Sequence, residues 1–286
     1  MTEDTVQLTT SELEPCVYCP HLCRHVCPSA VGSDREAATP AAMATGVWAW
    51  LQGRADASWA AAHASLCVDC GRCTDHCKHS RPLGKLLAAA RSSTAPPPYV
   101  EPPGRVHGTG ELVAVQTDAR QWAGALATML GQPVARYAAP DHLGAPLLDH
   151  PTRFQRYARA LRDRLAGRVL VVADASSARA AGAAELQFKM LEDLVSLSME
   201  GTVIPACTGT GMLSDAAPGC CGARRHLRDA HPEVALDMAQ DLITRMGPGP
   251  LACQDAACAA WLREQGADVV DPIDSLLKAA ASLETP

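Results

Sequence analysis

Two short runs of cysteine constrain this chain more than any other part of its sequence. The cysteines of one run are separated by two, three and three residues, and those of the other by two, two and three. The runs are Cys16, Cys19, Cys23 and Cys27, then Cys67, Cys70, Cys73 and Cys77. Such spacing is typical of iron–sulfur ligands, because three thiolates from one tight loop can reach three corners of a small cubane cluster. The fourth corner needs a cysteine from elsewhere in the chain.

The presence of two runs suggests how the fourth corners are filled. In two-cluster proteins the last cysteine of each run commonly serves the cluster of the other run. We therefore predict two 4Fe-4S clusters with crossed ligands. The first would be held by Cys16, Cys19, Cys23 and Cys77, and the second by Cys67, Cys70, Cys73 and Cys27.

Two other interpretations of these cysteines stay open. Structural zinc also takes four cysteines, usually as two C-x2-4-C pairs separated by a longer loop. Four cysteines within the eleven residues 67–77 strain that geometry. Disulfides would need an oxidising compartment, and nothing in the sequence indicates one.

Composition narrows the possible functions of the 286-residue chain. Its net charge of −6 argues against binding nucleic acid. The longest uncharged stretch, 37–53, is interrupted by Pro40 and Gly46. It falls short of the ~20 apolar residues that span a bilayer and predicts a buried helix. The acidic, polar start of the chain has no signal-peptide pattern, so we expect a cytoplasmic protein.

A stretch rich in proline, 93–110, predicts a linker between two kinds of structure. Before it, the residues between the cysteine runs look helical; after it, short apolar runs alternate with amphipathic helices, as in α/β domains. The predicted fold class is α + α/β. Predicted strands cover 112–116, 134–137, 168–173 and 268–270. Predicted helices cover 83–91, 120–130, 152–166, 185–197, 232–246, 256–265 and 273–282.

The second half of the chain contains a possible duplication. His142-Leu143-Gly144-Ala145 corresponds to Cys220-Cys221-Gly222-Ala223, and Asp174 to Ala178 corresponds to Asp255 to Ala259, in the same order. The domains would be a polar tail (1–14), a cluster domain (15–92), the linker (93–110) and two repeats (111–183 and 184–286). The second repeat would hold a third iron–sulfur site with ligands Cys207, Cys220, Cys221 and Cys258, and Cys253 as a possible fifth. The alternative is that these cysteines are buried thiols without a metal.

A family resemblance rests on these residues. Cys220-Cys221-Gly222, the predicted helix 232–246 and Cys258 resemble the cysteine-rich CCG domain. That domain occurs in the heterodisulfide reductase catalytic subunit and in iron–sulfur subunits of glycolate oxidase, lactate utilisation and anaerobic glycerol-3-phosphate dehydrogenase systems. Residues 16–91 resemble the α-helical two-cluster ferredoxin module that precedes CCG domains in several of these proteins. Two departures stand out: Asp255 takes the place of the first cysteine of the closing CxxC, and the first repeat lacks the cysteines.

The resemblance implies an iron–sulfur electron-transfer protein, a non-catalytic subunit of a cytoplasmic oxidoreductase. Its partner would be a flavin-containing subunit, since the chain shows no dinucleotide fingerprint, phosphate loop or nucleophile motif of its own. One alternative is a disulfide reductase acting at the CCG site. The other is a zinc-stabilised interaction module without redox activity.

Overall fold

The computed structural model describes residues 7–20, 22–94, 99–116, 121–139, 142–148, 150–197, 202–204, 220–253 and 255–284. Up to residue 94 the described elements are helices. They are α1 (Thr10–Tyr18), α2 (Pro28–Ser33), α3 (Pro40–Leu51), α4 (Ala57–Ser65), α5 (Arg72–His76) and α6 (Leu83–Thr94), with 3-10 helices at Leu22–Val26 and Glu36–Ala38.

Strands and helices alternate from residue 106 onward. The middle elements are β1 (Val106–His107), β2 (Leu112–Gln116), α7 (Ala123–Leu130), β3 (Val134–Ala138), a 3-10 helix (His142–Leu147), α8 (Pro151–Leu165), β4 (Val169–Val172), α9 (Ala175–Ala183), β5 (Phe188–Met190), α10 (Leu191–Leu194) and β6 (Thr202–Ile204). The last elements are α11 (Arg225–Ala230), α12 (Pro232–Met246), β7 (Leu251–Cys253), α13 (Ala256–Glu264), β8 (Val269–Val270) and α14 (Pro272–Glu284). Helices together with a mixed sheet agree with the predicted class, α + α/β.

The chain forms two compact units, and the first is discontinuous. It contains the described residues within 1–97 and 207–247, so α11 and α12 belong to the same unit as α1 to α6. The second unit contains those within 98–206 and 248–286. The predicted second repeat, 184–286, therefore contributes residues to both units.

The first unit is built on short helices with well-formed starts. Thr39 caps α3 by accepting a hydrogen bond from the backbone N–H of Ala42 at 3.2 Å, and Pro40 occupies the first helical position. Asp56 caps α4 in the same way, accepting from the N–H of Trp59 at 2.8 Å. These caps fix where the two helices begin, and α3 and α4 then pack against each other.

Helix α12 packs on α2, which begins directly after Cys27. The approach is close, because a Cβ built at Gly32 would lie 3.0 Å from the Cγ of Met238. Arg35 adds ion pairs to Asp237 at 3.0 Å and to Glu233 at 3.6 Å. The contacts bring a segment from late in the chain onto the helix that follows the first cysteine run.

The second unit contains two sheets. The larger has the strand order β1-β3-β2-β4-β5; β2 is parallel to β3 and β4, and β4 is parallel to β5. Strand β1 is antiparallel to β3 at the edge. The smaller sheet has the order β6-β7-β8, all parallel. Apolar cores cover both faces of the larger sheet, one including residues of α8 and α9 and the other residues of α7 and α14.

Several elements differ from the sequence prediction. The helix predicted over 185–197 is wrong, because its first part is strand β5, paired with β4. Burial alternates there: Leu186, Phe188 and Met190 are partly buried, whereas Gln187 and Lys189 are exposed. That period of two belongs to a strand.

Two further elements begin where the sequence suggested irregular chain. Helix α1 begins at Thr10, within the predicted tail, and β1 lies within the predicted linker. The uncharged stretch 37–53 contains α3, as predicted. Across the described part of the chain, no helix is both long and apolar enough to cross a membrane.

Replacement of Gly46 tests the close packing of α3 on α4. A Cβ at this position would lie 2.3 Å from the Cγ of His63. We expect Gly46→Ala to destabilise the protein by about 1–3 kcal/mol through overpacking, despite the better helix propensity of alanine. The measurement is the free energy of unfolding in urea.

Gly124→Ala is the matched control. Gly124 is also a glycine within a helix, but it is exposed and a Cβ there would meet no atom within 4 Å. This variant should be stabilised by about 0.5–1 kcal/mol. Equal effects of the two replacements would contradict the close packing at Gly46.

Candidate metal centre

The first cysteine run bends around the ends of helices. Cys16 lies on α1 and Cys19 follows its last residue. Cys23 lies on the 3-10 helix Leu22–Val26, and Cys27 directly precedes α2. The four cysteines are thus spread over α1 and its end, the 3-10 helix and the start of α2.

The second run lies on a tight loop between α4 and α5. Cys67 and Cys70 lie on the loop, Cys73 on α5, and Cys77 directly after α5. The loop turns through left-handed conformations at Asp69 (φ 54°) and Gly71 (φ 75°). Aspartate is one of the few residue types that adopt this conformation at moderate cost, and glycine adopts it freely.

Four cysteines line one cavity, together with a largely apolar wall. They are Cys27, Cys67, Cys70 and Cys73, the set predicted for the second cluster. The other lining residues are Pro40, Met43, Val68, Gly71, Leu83, Gly84 and Leu87. One cysteine of the first run therefore lines this cavity together with three of the second.

The other four cysteines also lie near one another. Burial raises the pKa of the Cys16 thiol to about 11, although the nearby Arg81 guanidinium opposes the effect. The charges that raise it further come from Cys19, Cys23 and Cys77, the remaining members of the set predicted for the first cluster. The charge of Cys23 also raises the pKa of Cys27 and of Cys73, so Cys23 lies close to members of both sets.

Burial also raises the pKa of thiols in the second set. It raises the pKa of Cys27 and of Cys73 to about 12, and that of Cys67 well above its usual range. Without a metal these thiols are therefore protonated at neutral pH, and iron must displace their protons on binding. In the described part of the chain, no three His, Cys, Asp or Glu side chains converge as ligands of a single metal ion.

Two features of the walls fit an iron–sulfur cluster beyond the sulfurs themselves. Arg81 donates from Nη2 to the backbone carbonyl and side chain of Glu12, at 2.6 and 2.7 Å, whereas its buried Nε–H has no partner. A donor near Cys16 suits the sulfur acceptors of a cluster, where hydrogen bonds tune the potential. Gly84 lines the cavity of the second set, and a Cβ there would meet no atom within 4 Å. A side chain at position 84 would therefore begin in open space.

A buried ion pair holds the loop of the second run. Arg91, on α6, donates to both carboxylate oxygens of Asp69 at 2.8 and 2.9 Å, and to the carbonyl of Ala64 at 2.9 Å. The buried Ser29 hydroxyl donates to the carbonyl of Leu66 at 2.7 Å. Each partner comes from a different helix, so α2, α4 and α6 together fix the path of the chain into Cys67.

The charge of Asp69 depends on its surroundings. Burial by itself would raise the pKa of this carboxyl. The positive charges of Arg91, His226 and Arg224 outweigh burial and hold the pKa well below its usual range. Asp69 is therefore ionised at neutral pH, and its ion pair with Arg91 is present under physiological conditions.

His226 contacts the same loop from the distant segment that begins α11. Its Nε2–H donates to the backbone carbonyl of Cys67 at 2.7 Å, across 159 residues of sequence. Sequence reasoning missed this residue, because neither spacing nor a motif connects a single histidine with a cysteine so far away. The only available signal was its position five residues after Cys221.

The cysteines of the predicted third site fall in different places. Cys220 and Cys221 are buried just before α11, in the first unit. Gly222 follows with a φ of 78°, and a Cβ there would lie 2.8 Å from the carbonyl oxygen of Ala235, so the chain packs tightly on α12. The other three are Cys253 and Cys258, which lie in the second unit, and Cys207, which lies outside the described residues.

Comparison with protein families decides the class of the cysteine-bearing module. Residues 12–80 match the 4Fe-4S dicluster domain. The match includes all eight cysteines of the two runs and about a quarter of the chain. Comparison with curated proteins and with solved structures finds no match. The chain thus contains an iron–sulfur module of the 4Fe-4S type with an electron-transfer role, whereas its likeness to CCG domains stays a prediction.

His226→Ala tests whether the distant histidine supports the second set. A hydrogen bond of this kind contributes about 1 kcal/mol, so losing it should release iron from that set about fivefold faster. The rate is read from the loss of visible absorbance in the presence of a chelator. We expect the fast phase to involve one cluster only, as followed by electron paramagnetic resonance (EPR).

His231→Ala is the control for this experiment. The Nε2–H of His231 also donates to a backbone carbonyl at 2.7 Å, but to that of Ala62 within α4 and not to the loop that bears Cys67. Its removal should leave the release rate unchanged. If both variants lose iron equally fast, His226 acts only through the general stability of the unit.

Gly84→Leu tests the open space in the cavity. The leucine side chain would occupy room beside the four cysteines, so we expect this variant to bind one cluster fewer than the unmodified protein. Iron bound per chain is the measurement. Gly124→Leu, at an exposed helical glycine of the second unit, should retain all its iron. Full iron content in Gly84→Leu would place the cluster elsewhere.

Proposed function

We propose that this chain is the iron–sulfur subunit of a cytoplasmic oxidoreductase. Within that complex it would relay electrons between a flavin-containing partner and its own 4Fe-4S clusters. The observation that carries the proposal is the match of residues 12–80 to a 4Fe-4S dicluster domain. When bound, such clusters supply one-electron transfer at potentials set by their surroundings.

The arrangement of the cysteines supports the crossed ligand sets. Cys27 lines a cavity with Cys67, Cys70 and Cys73, although it belongs to the first run in sequence. In the same way, the charge of Cys77 raises the pKa of the Cys16 thiol, so the two cysteines lie near each other. In this proposal each cluster takes three ligands from one run and one from the other, and the two runs are bound into a single unit by their clusters.

The two sets differ in their distance from the surface. Cys27 and Cys70 of the second set are buried, whereas every cysteine of the first set is partly exposed. Tyr18 and Leu22, beside the first set, are 71% and 63% exposed. We therefore assign the first cluster to electron exchange with the partner, because short distance to the surface favours transfer between proteins.

The chain around the first set offers the partner both apolar and cationic groups. The exposed basic side chains near these cysteines include Arg24 and Lys78, and the histidines His25, His76 and His79 are exposed beside them. A basic rim of this kind raises the association rate with an acidic partner at low salt. The helix bearing His76 packs on the 3-10 helix bearing His25, so the groups of the two runs adjoin.

A second candidate function is reduction of a disulfide substrate. The observation that favours it is the adjacent buried pair Cys220 and Cys221, which lies in the same unit as the two cysteine runs. In this alternative the pair would belong to a third iron–sulfur site with Cys207, Cys258 and Cys253, as in a CCG domain. Turnover of a disulfide with a reduced donor, lost in Cys221→Ser, would establish it.

Metal analysis of anaerobically purified protein tests the proposal. Two 4Fe-4S clusters require about eight irons and as many acid-labile sulfides per chain, and a third cluster raises this to about twelve. The protein should be brown and bleach with dithionite. Colourless protein with bound zinc would overturn the proposal in favour of a structural module. Replacement of both Cys220 and Cys221 by serine shows whether any iron depends on them.

Cys77→Ser and Cys70→Ser together test the crossed assignment. Cys77→Ser should disturb the cluster held by Cys16, Cys19 and Cys23, whereas Cys70→Ser should disturb the cluster of its own run. EPR spectra of the reduced variants distinguish the two centres. Loss of the same centre in both variants would contradict the crossed ligand sets.

A further inference from the structure

A negatively charged side chain lies against one sulfur of the second set. The Cys67 thiol donates to Oδ1 of Asp69 at 3.7 Å, and the backbone N–H of Asp69 donates to the same sulfur at 3.4 Å. When Cys67 binds iron, its proton is displaced and the sulfur carries negative charge. The Asp69 carboxylate then faces a thiolate, and this contact disfavours any further negative charge on the same centre.

Two guanidinium groups act on this carboxylate. Arg91, on α6, is 5% exposed and donates to both of its oxygens. Burial and the charge of Asp69 raise the pKa of the Cys67 thiol, and the charge of Arg91 opposes them. The second guanidinium is that of Arg224, whose charge helps to lower the pKa of Asp69. The charge beside the Cys67 sulfur therefore depends on a residue that is 157 positions away in the chain.

Backbone contacts fix the position of Arg224 without its own side chain. It directly precedes α11, and its carbonyl accepts from the backbone N–H of Arg228 at 2.9 Å. Two residues further on, His226 donates to the carbonyl of Cys67 at 2.7 Å. Helix α11 also packs on α4, which leads into Cys67. A replacement at position 224 can therefore change the charge and leave the segment in place.

The next residue, Arg225, has a different environment. Its side chain is 49% exposed and forms an ion pair with Asp229 at 3.5 Å, one turn along α11. Such exposed pairs are screened by water and contribute little. Two adjacent arginines thus differ in what they act on, since Arg224 acts on the buried loop and Arg225 pairs within its own helix.

The first set of cysteines has a different balance of charge. Arg81, whose charge acts on Cys16, forms an ion pair with the Glu12 carboxylate at 2.7 Å. One cation is therefore matched with one carboxylate there. At the second set, both Arg91 and Arg224 act on the single carboxylate of Asp69. A change at position 224 should consequently affect one cluster and not the other.

Nearby charge determines how readily an iron–sulfur cluster is reduced. Reduction adds one electron and hence one negative charge, so a cation close to the sulfurs raises the potential and a carboxylate lowers it. Screening is weak at this loop, because the side chains of Asp69 and Arg91 are only 17% and 6% exposed. Each charge around Asp69 therefore has a larger effect than it would have at the surface.

We propose that Arg224 raises the reduction potential of the second cluster by offsetting the charge of Asp69 beside Cys67. His226 holds Arg224 in position through its hydrogen bond to the loop. The inference rests on the proposed electron relay, in which the partner flavin supplies the electron. It makes the segment that follows Cys220 and Cys221 part of the relay, independently of any cluster that these two cysteines hold.

Redox titration of the full, anaerobically purified chain, followed by EPR, tests the proposal. Arg224→Gln should make reduction of one cluster about tenfold less favourable, a fall of about 59 mV for a one-electron couple. The other cluster should keep its potential. Arg224→Lys retains the positive charge and should restore the potential of the affected cluster.

Arg225→Gln is the matched control, because it removes the same charge from the neighbouring position. Both potentials should stay unchanged in this variant. An equal fall in Arg224→Gln and Arg225→Gln would show an effect of overall charge and would overturn the assignment. An unchanged potential in Arg224→Gln with both clusters bound would overturn it as well. Unmodified protein without iron would overturn the proposed function instead.

Asp69→Asn should change the potential of the same cluster in the opposite direction. Removal of the carboxylate leaves the cations uncompensated, so reduction should become more favourable. General damage to the fold would not produce opposite changes in Arg224→Gln and Asp69→Asn. If Asp69→Asn does not fold because Arg91 loses its partner, the three arginine variants still decide. If Arg224→Gln loses the cluster, the sign of the change in Asp69→Asn decides.

Discussion

The buried ion pair between Arg91 and Asp69 fixes the loop on which the second set of cysteines depends. Breaking a buried pair by removing one partner typically costs about 3–5 kcal/mol, because the remaining charge stays buried. Here that charge would lie two residues from Cys67 and one from Cys70. The ion pair therefore also fixes the positions of the two sulfurs, because Cys67 and Cys70 flank Asp69 in the loop. The ligands can be preorganised before iron arrives.

The cysteine runs were the most informative part of the sequence, because ligand spacing reflects the size of the cluster that the loop surrounds. Helix α12 was also predicted with its observed bounds, since Pro232 marks its start and its apolar residues repeat with helical periodicity. The elements missed by sequence reasoning include short strands. Strand β1 has two residues, and β6 and β7 have three each, too few for their alternation to be distinguished from a buried turn.

Contacts between distant parts of the chain were beyond prediction from one sequence. The histidine that donates to Cys67 and the packing of α12 on α2 both join residues more than 150 positions apart. Neither leaves a local pattern, because each depends on how the chain folds back, not on its neighbours. The predicted pairing of Asp174 with Asp255 is a different case. Each caps the helix after a parallel strand, accepting from the third helical N–H at 2.7 Å. The two segments thus use the same helix cap, and the duplication itself stays a prediction.

The discontinuity of the first unit has a consequence for how the protein is made. Both cysteine runs leave the ribosome early, whereas His226 follows Cys67 by 159 residues. At a synthesis rate of roughly 5–20 residues per second, that interval lasts about 8–30 s. During this time the cysteines lack the cover that α11 and α12 later provide. The order of the chain therefore sets a window for cluster delivery, which closes when α11 and α12 pack onto the helices that carry the sulfurs.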